Sequence, residues 1–216
     1  MKIIVTGNYK EEEIKIPIGK INLVGELIIP EMATGLVLFS HGSGSSRFSP
    51  RNNMVAEELR NNGIGTLMLD LLTPEEDAIF ANRFDINLLT KRLKAATGWI
   101  MEHDHIEKLS IGYFGASTGA ASALNAAAEL SNLVHAVVSR GGRPDLSTNL
   151  SKVKAPTLLI VGGLDTEVIE LNKQAYKKLK CKKEMVVIPG ASHLFEEPER
   201  LEEVARLSTN WFAHYL

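Results

Sequence analysis

Three side chains of this 216-residue chain have the chemistry to break an ester bond together: Ser117, Asp165 and His193, met in that order along the sequence. A serine hydroxyl becomes a nucleophile when a histidine takes its proton. A carboxylate on the other imidazole nitrogen fixes the tautomer and stabilises the imidazolium that forms. Ser117 lies in Gly115-Ala116-Ser117-Thr118-Gly119, a G-x-S-x-G pentapeptide that follows the apolar run Leu109 to Phe114 and opens the Ala-rich stretch Ala120 to Leu130. A strand, a tight turn and a helix in succession expose such a serine at the positive end of the helix. Glycines two residues before and after it keep side chains out of a sharp, strained turn.

Asp165 follows the apolar run Thr157 to Gly163, and His193 follows Met185 to Gly190. Acyl transfer also needs hydrogen-bond donors for the oxyanion. The backbone N–H of Thr118, next to the nucleophile, is one candidate. The loop His41-Gly42-Ser43-Gly44-Ser45-Ser46 supplies a second, with Ser43 the expected donor. Each triad residue also has a plain alternative: Ser117 as a helix cap, Asp165 as the N-cap of a helix over 166–180, His193 as a loop histidine. Taken jointly, those alternatives leave unexplained why the three follow successive strand ends in the serine, acid, histidine order of the α/β-hydrolase fold.

Other reactive side chains fit less directly. His41 comes too early for the triad and is expected to support the oxyanion loop, at the edge of the substrate site. His103 and His105 flank Asp104 in a polar turn, read as solvated surface; no metal is expected. Cys181 stands alone and cannot form an internal disulfide. Arg47 and Arg51 follow the oxyanion loop, and Arg140 and Arg143 lie in Ser139-Arg140-Gly141-Gly142-Arg143-Pro144-Asp145. Such forks would hold a carboxylate or phosphate on a substrate. The alternative is that Arg140 and Arg143 pair with Asp145 or other loop carboxylates.

Short β-branched runs alternate with longer stretches of helical spacing, the pattern of a mostly parallel sheet covered on both faces by helices. Residues 13–18 and 21–29, separated by Gly19-Lys20, read as an antiparallel N-terminal hairpin. Strands follow at 35–40, 65–71, 109–114, 135–140, 157–162 and 184–188. Helices are expected over 49–62, 85–102, 117–130, 166–180 and 198–214. Residues 73–84 read as a polar, acidic connection. With no linker or lid-sized insertion, residues 1–216 form one α/β domain without a separate lid domain. The pocket should be open, walled by the 73–84 connection and the loop after Arg140.

Twenty-four Lys and Arg against twenty-six Asp and Glu give no electrostatic case for nucleic acid or an anionic membrane. The run Met1 to Thr6 is too short for a secretory signal, and no stretch has the length of a membrane span, so a cytoplasmic location is expected.

The segments Ser40 to Arg47, Phe114 to Ala120, Val161 to Asp165 and Pro189 to Phe195 resemble the dienelactone hydrolase-like branch of the α/β-hydrolases, and the likeness runs over nearly the whole chain. It implies an eight-stranded sheet, the triad, and ester or lactone hydrolysis without a cofactor. One departure stands out: dienelactone hydrolases carry a cysteine where this chain has Ser117, and serine suits a general esterase mechanism. The turn Ser139 to Asp145 also resembles small hydrolases that occur alone or joined to a phosphoribosyltransferase domain. The same triad would serve acyl transfer to an alcohol or peroxide, and the same pocket would serve a silent binding module.

Overall fold

The β-branched runs become strands that alternate with helices, as the pattern requires. A computed structural model of the chain describes residues 9–103, 106 and 108–216, so Met1 to Thr6, Asp104 and His105 lie outside the described residues. Among the described residues the strands are β1 (Tyr9–Ile18), β2 (Ile21–Pro30), β3 (Gly35–Ser40), β4 (Ile64–Leu69), β5 (Ser110–Ala116), β6 (Val134–Arg140), β7 (Thr157–Gly162) and β8 (Lys183–Ile188). They form one sheet in the order β1-β2-β4-β3-β5-β6-β7-β8. Only the β1–β2 and β2–β4 pairings are antiparallel. This is the α/β-hydrolase fold, with its N-terminal hairpin on one edge.

Helices cover both faces. On one lie α1 (Pro50–Asn61) and α6 (Arg200–Tyr215); on the other lie α3 (Ile86–Met101), α4 (Gly119–Glu129) and α5 (Thr166–Lys178). Because side chains alternate along a strand, neighbours enter opposite cores. Tyr113 packs among Leu93 and Ala123, while Phe114 packs with Phe39 and Phe212. The strands buried on both faces, β3, β4 and β7, are for that reason apolar apart from Ser40, Thr66 and Thr157.

Two expectations need correction. Strand β1 starts at Tyr9, four residues before the predicted 13, and pairs in register up to Tyr9 opposite Pro30. Lys10, Glu11 and Glu13 are exposed there, and an edge strand tolerates such charges, which also guard it against pairing with other chains. The 73–84 connection holds a short helix, α2 (Pro74–Asp77), and a 3₁₀ turn at Phe80–Phe84. Thr73 and Glu76 form a reciprocal capping box, a signal written in Thr73-Pro74-Glu75-Glu76. Among the described residues no helix is long and apolar enough to cross a membrane.

Candidate active site

Ser117 sits between β5 and α4 with φ of 52°, in the left-handed region that a non-glycine residue occupies only under constraint. Its N–H donates to the Arg140 carbonyl at 3.2 Å, and its own carbonyl accepts from the Arg143 N–H at 3.0 Å. The flanking glycines are needed for close approach. A Cβ on Gly119 would stand 2.1 Å from the Ser40 carbonyl oxygen, and one on Gly115 would stand 2.5 Å from the Ala120 Cα. They let the end of β3 and the first turn of α4 close around the serine. Thr118, at the N-cap position of α4, makes no side-chain cap bond, so its hydroxyl is free for other work.

Asp165 stands at the N-cap position of α5, yet its side chain makes no cap bond there. Its Oδ2 instead lies 2.6 Å from His193 Nδ1. Two loops bring them together. Gly163 N–H donates to the Ile188 carbonyl at 2.8 Å and Leu164 N–H to the Ala191 carbonyl at 2.9 Å, lacing the acid loop to the histidine loop. Gly162 permits this, since a Cβ there would meet the Ser192 carbonyl at 2.3 Å. Ser192 N–H donates to the Glu197 carboxylate at 3.0 Å. The His193 side chain is 38% exposed. Among the described residues neither Ser117 Oγ nor His193 Nε2 makes a hydrogen bond.

The loop after β3 runs beside the serine: a Cβ on Gly42 would lie 3.0 Å from that of Ser117. Thr118 N–H donates to no described backbone group. Ser43 N–H, the other expected oxyanion donor, donates to Thr118 Oγ1 at 3.0 Å. His41 is only 8% exposed. Its Nε2 accepts from the Leu71 N–H at 3.3 Å, which leaves Nδ1 to donate to the Gly42 carbonyl at 3.0 Å. With both ring nitrogens taken by backbone, His41 braces the loop.

Residues 52–216 match the model of the dienelactone hydrolase family. The chain belongs to the dienelactone hydrolase family. A solved structure described as dienelactone hydrolase from Anabaena variabilis is 54% identical, with a TM-score of 0.93 over 96% of this chain and 99% of that one. A serine hydrolase without lid from Xanthomonas campestris shares the fold at 20% identity and a TM-score of 0.76, over 95% of this chain and 94% of that one. Proteins from two Mycobacterium tuberculosis strains, named as candidate phosphoribosyl transferases, are 52% identical over 208 residues, 96% of this chain. The chain spans 47% of their length, so that name describes proteins about twice as long. The loop after β3, residues 41–46, precedes the part that matches the dienelactone hydrolase model.

Within this family member the arginines divide sharply. Arg143 forms a two-pronged pair with Asp145, at 2.9 and 2.8 Å, which raises its pKa through that hydrogen bond. Arg47 pairs with Asp70 and lies 3.8 Å from Glu13. Arg51 pairs with Glu196 at 2.7 Å. Arg140 has no described carboxylate within ion-pair distance. It is 6% exposed, and Nη2 donates to Asn52 Oδ1 at 3.1 Å. Burial, and then the positive charge of Arg51, lower its pKa to about 10, so it is still charged at neutral pH.

The wall expected from 73–84 is present, since Arg83 Nη1 comes within 3.9 Å of where a Gly44 Cβ would stand. Arg83 is held by Asp77 at 2.8 Å. Two cavities of about 540 Å³ lie elsewhere, one between the N-terminal hairpin and Leu109, the other beside Cys181. Cys181 is half-buried, and burial raises its thiol pKa. His103 stacks on Trp99 with ring centroids 5.0 Å apart and lies 3.8 Å from Glu12.

Proposed function

We propose that this chain is a serine hydrolase that cleaves a small carboxylic ester, thioester or lactone through an acyl-enzyme. The observation that carries the proposal is the Asp165 carboxylate, which leaves the helix end where it stands and lies 2.6 Å from His193 Nδ1. A carboxylate there makes Nδ1 the protonated nitrogen and leaves Nε2 as the base. Ser117, held at positive φ at the head of α4, is the nucleophile of this reading.

In the reaction, Ser117 Oγ attacks the carbonyl carbon while His193 Nε2 takes its proton. The tetrahedral oxyanion accepts from Thr118 N–H and Ser43 N–H. Ser43 N–H must then turn part of its hydrogen bonding from Thr118 Oγ1 toward the substrate oxygen. His193 returns the proton to the leaving oxygen or sulfur as the carbon–heteroatom bond breaks. Water, deprotonated by the same imidazole, attacks the acyl-enzyme and releases the acid and the free serine. The exposed edge of His193 lets water reach the acyl group. Each step uses side chains and backbone of this chain alone.

Intact-mass detection of a fluorophosphonate adduct tests this reading without knowledge of the substrate. Wild type should gain one adduct, and Ser117→Ala and His193→Ala should gain none. Absence of labelling on folded wild-type protein, together with no turnover of short p-nitrophenyl esters, would make the chain a binding module instead.

A further inference from the structure

The buried stripe of α5 runs through Val168, Asn172 and Ala175 to Leu179 just past the helix end. Helical spacing sets Asn172 in the middle of that stripe, fully buried, at a position that calls for an apolar side chain. Its amide is satisfied at one end only. Nδ2 donates to the Gly142 carbonyl at 2.9 Å and to the Val168 carbonyl at 2.8 Å, while Oδ1 is buried with no partner among the described residues. The reverse orientation would set Oδ1 against two carbonyl oxygens, so the amide has one way to lie. A buried acceptor left unpaired is a standing cost that an apolar residue of similar size would not carry. What the position gains from asparagine is therefore the hold that Nδ2 has on Gly142.

Gly142 is wedged between two other elements. A Cβ there would stand 2.0 Å from Ser139 Oγ on β6 and 2.6 Å from the Ala120 Cβ in the first turn of α4. Among the described residues no backbone N–H donates to its carbonyl, so Asn172 fixes the direction of that peptide group. On one side of Gly142, Gly141 bears on the histidine: a Cβ there would meet the His193 carbonyl at 3.0 Å and His193 Cε1 at 3.6 Å. On the other side, the Arg143 N–H donates to the Ser117 carbonyl at 3.0 Å and so helps to hold the serine at positive φ. Asp165, the partner of His193, heads the same helix that carries Asn172. Helix α5 is thus joined to the acid by the chain itself, and to the serine and the histidine through the three residues of one turn.

We infer that Asn172 is a positioning residue of this site: through the Gly142 carbonyl it fixes the 141–143 turn, and with it the places of Ser117 and His193 relative to the Asp165 that heads its own helix. The effect on rate rests on the hydrolase reading; the tie between α5 and the turn does not. A residue that acts in this way sets how well nucleophile and base are aligned, and not how substrate is held. Its loss therefore belongs in kcat, with KM retained.

Asn172→Ala removes the tie and keeps a good helix former in α5, and Asn172→Leu removes it while keeping the volume. Folded protein of each is followed by the rate constant of fluorophosphonate labelling, by kcat and KM with p-nitrophenyl butyrate, and by amide hydrogen exchange at Ser117 and Arg143. In both variants exchange at the two amides should quicken, and labelling and kcat should fall by about tenfold, as loss of one neutral hydrogen bond allows, with KM within about twofold of wild type. Ala175→Gly, a buried position on the next turn of the same helix, loosens α5 without touching Gly142 and should leave labelling, KM and both amides unchanged. Unchanged exchange in the Asn172 variants overturns the inference, and so does faster exchange with labelling and kcat intact, or a loss that falls on KM. A loss of the same size in Ala175→Gly overturns it as well, since any loosening of the helix would then suffice. If wild type takes no label, the hydrolase reading falls, and faster exchange confined to the Asn172 variants keeps the tie.

Discussion

An aspartate at the head of a helix ordinarily gives its carboxylate to the backbone N–H groups of the first turn, and Asp165 does not. Replacing it with asparagine therefore removes the partner of His193 Nδ1 without removing a cap. Asp165→Asn should reduce kcat by about a thousandfold to ten-thousandfold, because the wrong tautomer then faces Ser117. Its unfolding free energy should change by less than about 1 kcal/mol, since no cap is lost. A large loss of stability in urea titration would show that the carboxylate serves the fold. Thr118 offers a second test at this scale. Its Oγ1 ties the Ser43 amide, and with it the glycine-flanked oxyanion loop, to the nucleophile turn. Thr118→Val keeps the shape and loses the tie, and should lower kcat by about tenfold, the upper end of one neutral hydrogen bond. Thr118→Ser should restore it, with KM little changed throughout.

At the scale of elements, the glycines around Ser117 decide how closely strand and helix approach. The Cβ of Gly119→Ala would be driven into the Ser40 carbonyl, which is backbone and cannot rotate aside. That substitution should cost about 1–3 kcal/mol and suppress fluorophosphonate labelling, because Ser40 leads into the oxyanion loop. Gly98, within α3, is the matched control: nothing lies within 4 Å of its Cβ position, so Gly98→Ala should stabilise by up to about 1 kcal/mol and leave labelling unchanged. The approaches that these glycines allow were the part least visible in the sequence. G-x-S-x-G announces a turn, but that Ser40 lies against Gly119, or Ser192 against Gly162, depends on contacts between distant segments. Interior strands such as β3 and β7 were legible because burial on both faces leaves a nearly unbroken apolar run. The charged start of β1 was not, because an edge strand needs apolar residues on one face only, and α2 was hidden by its acidic surface although its capping box was written out. A further test at this scale uses β5. Burial holds the Tyr113 phenol well above its usual pKa, against a smaller lowering by its hydrogen bond to Thr97. The sign follows: its contribution is fully present below the unfolded value of about 10 and is lost as pH rises toward the folded one. Tyr113→Phe should therefore flatten the fall in urea midpoint above about pH 10, leaving it unchanged in slope near neutrality.

The whole molecule is two cores separated by one sheet, and adjacent residues of one strand serve both. Tyr113 hydrogen-bonds Thr97 of α3 on one side, and Phe114 stacks near Phe39 beneath α1 and α6 on the other, with ring centroids 4.9 Å apart. Neither helix layer can leave without exposing a face of the strands that carry the opposite core. The C-terminal helix makes this concrete: a Cβ on Gly112 would stand 2.7 Å from Phe212, and one on Gly35 would stand 2.5 Å from Leu216, so the last turn of α6 and the residue after it reach β5 and β3. The same two strands lead into Ser117 and the oxyanion loop, which couples the site to a helix at the far end of the sequence. We expect one cooperative unfolding unit. Phe212→Ala, which empties a fully buried position, should cost about 3–5 kcal/mol and lower the whole transition, near-ultraviolet and far-ultraviolet signals moving together. Fluorophosphonate labelling, followed across the same urea series, should disappear at that common midpoint. Separation of the two optical transitions, with labelling following only one, would mean that the layers fold as independent units and that the single-domain reading is wrong.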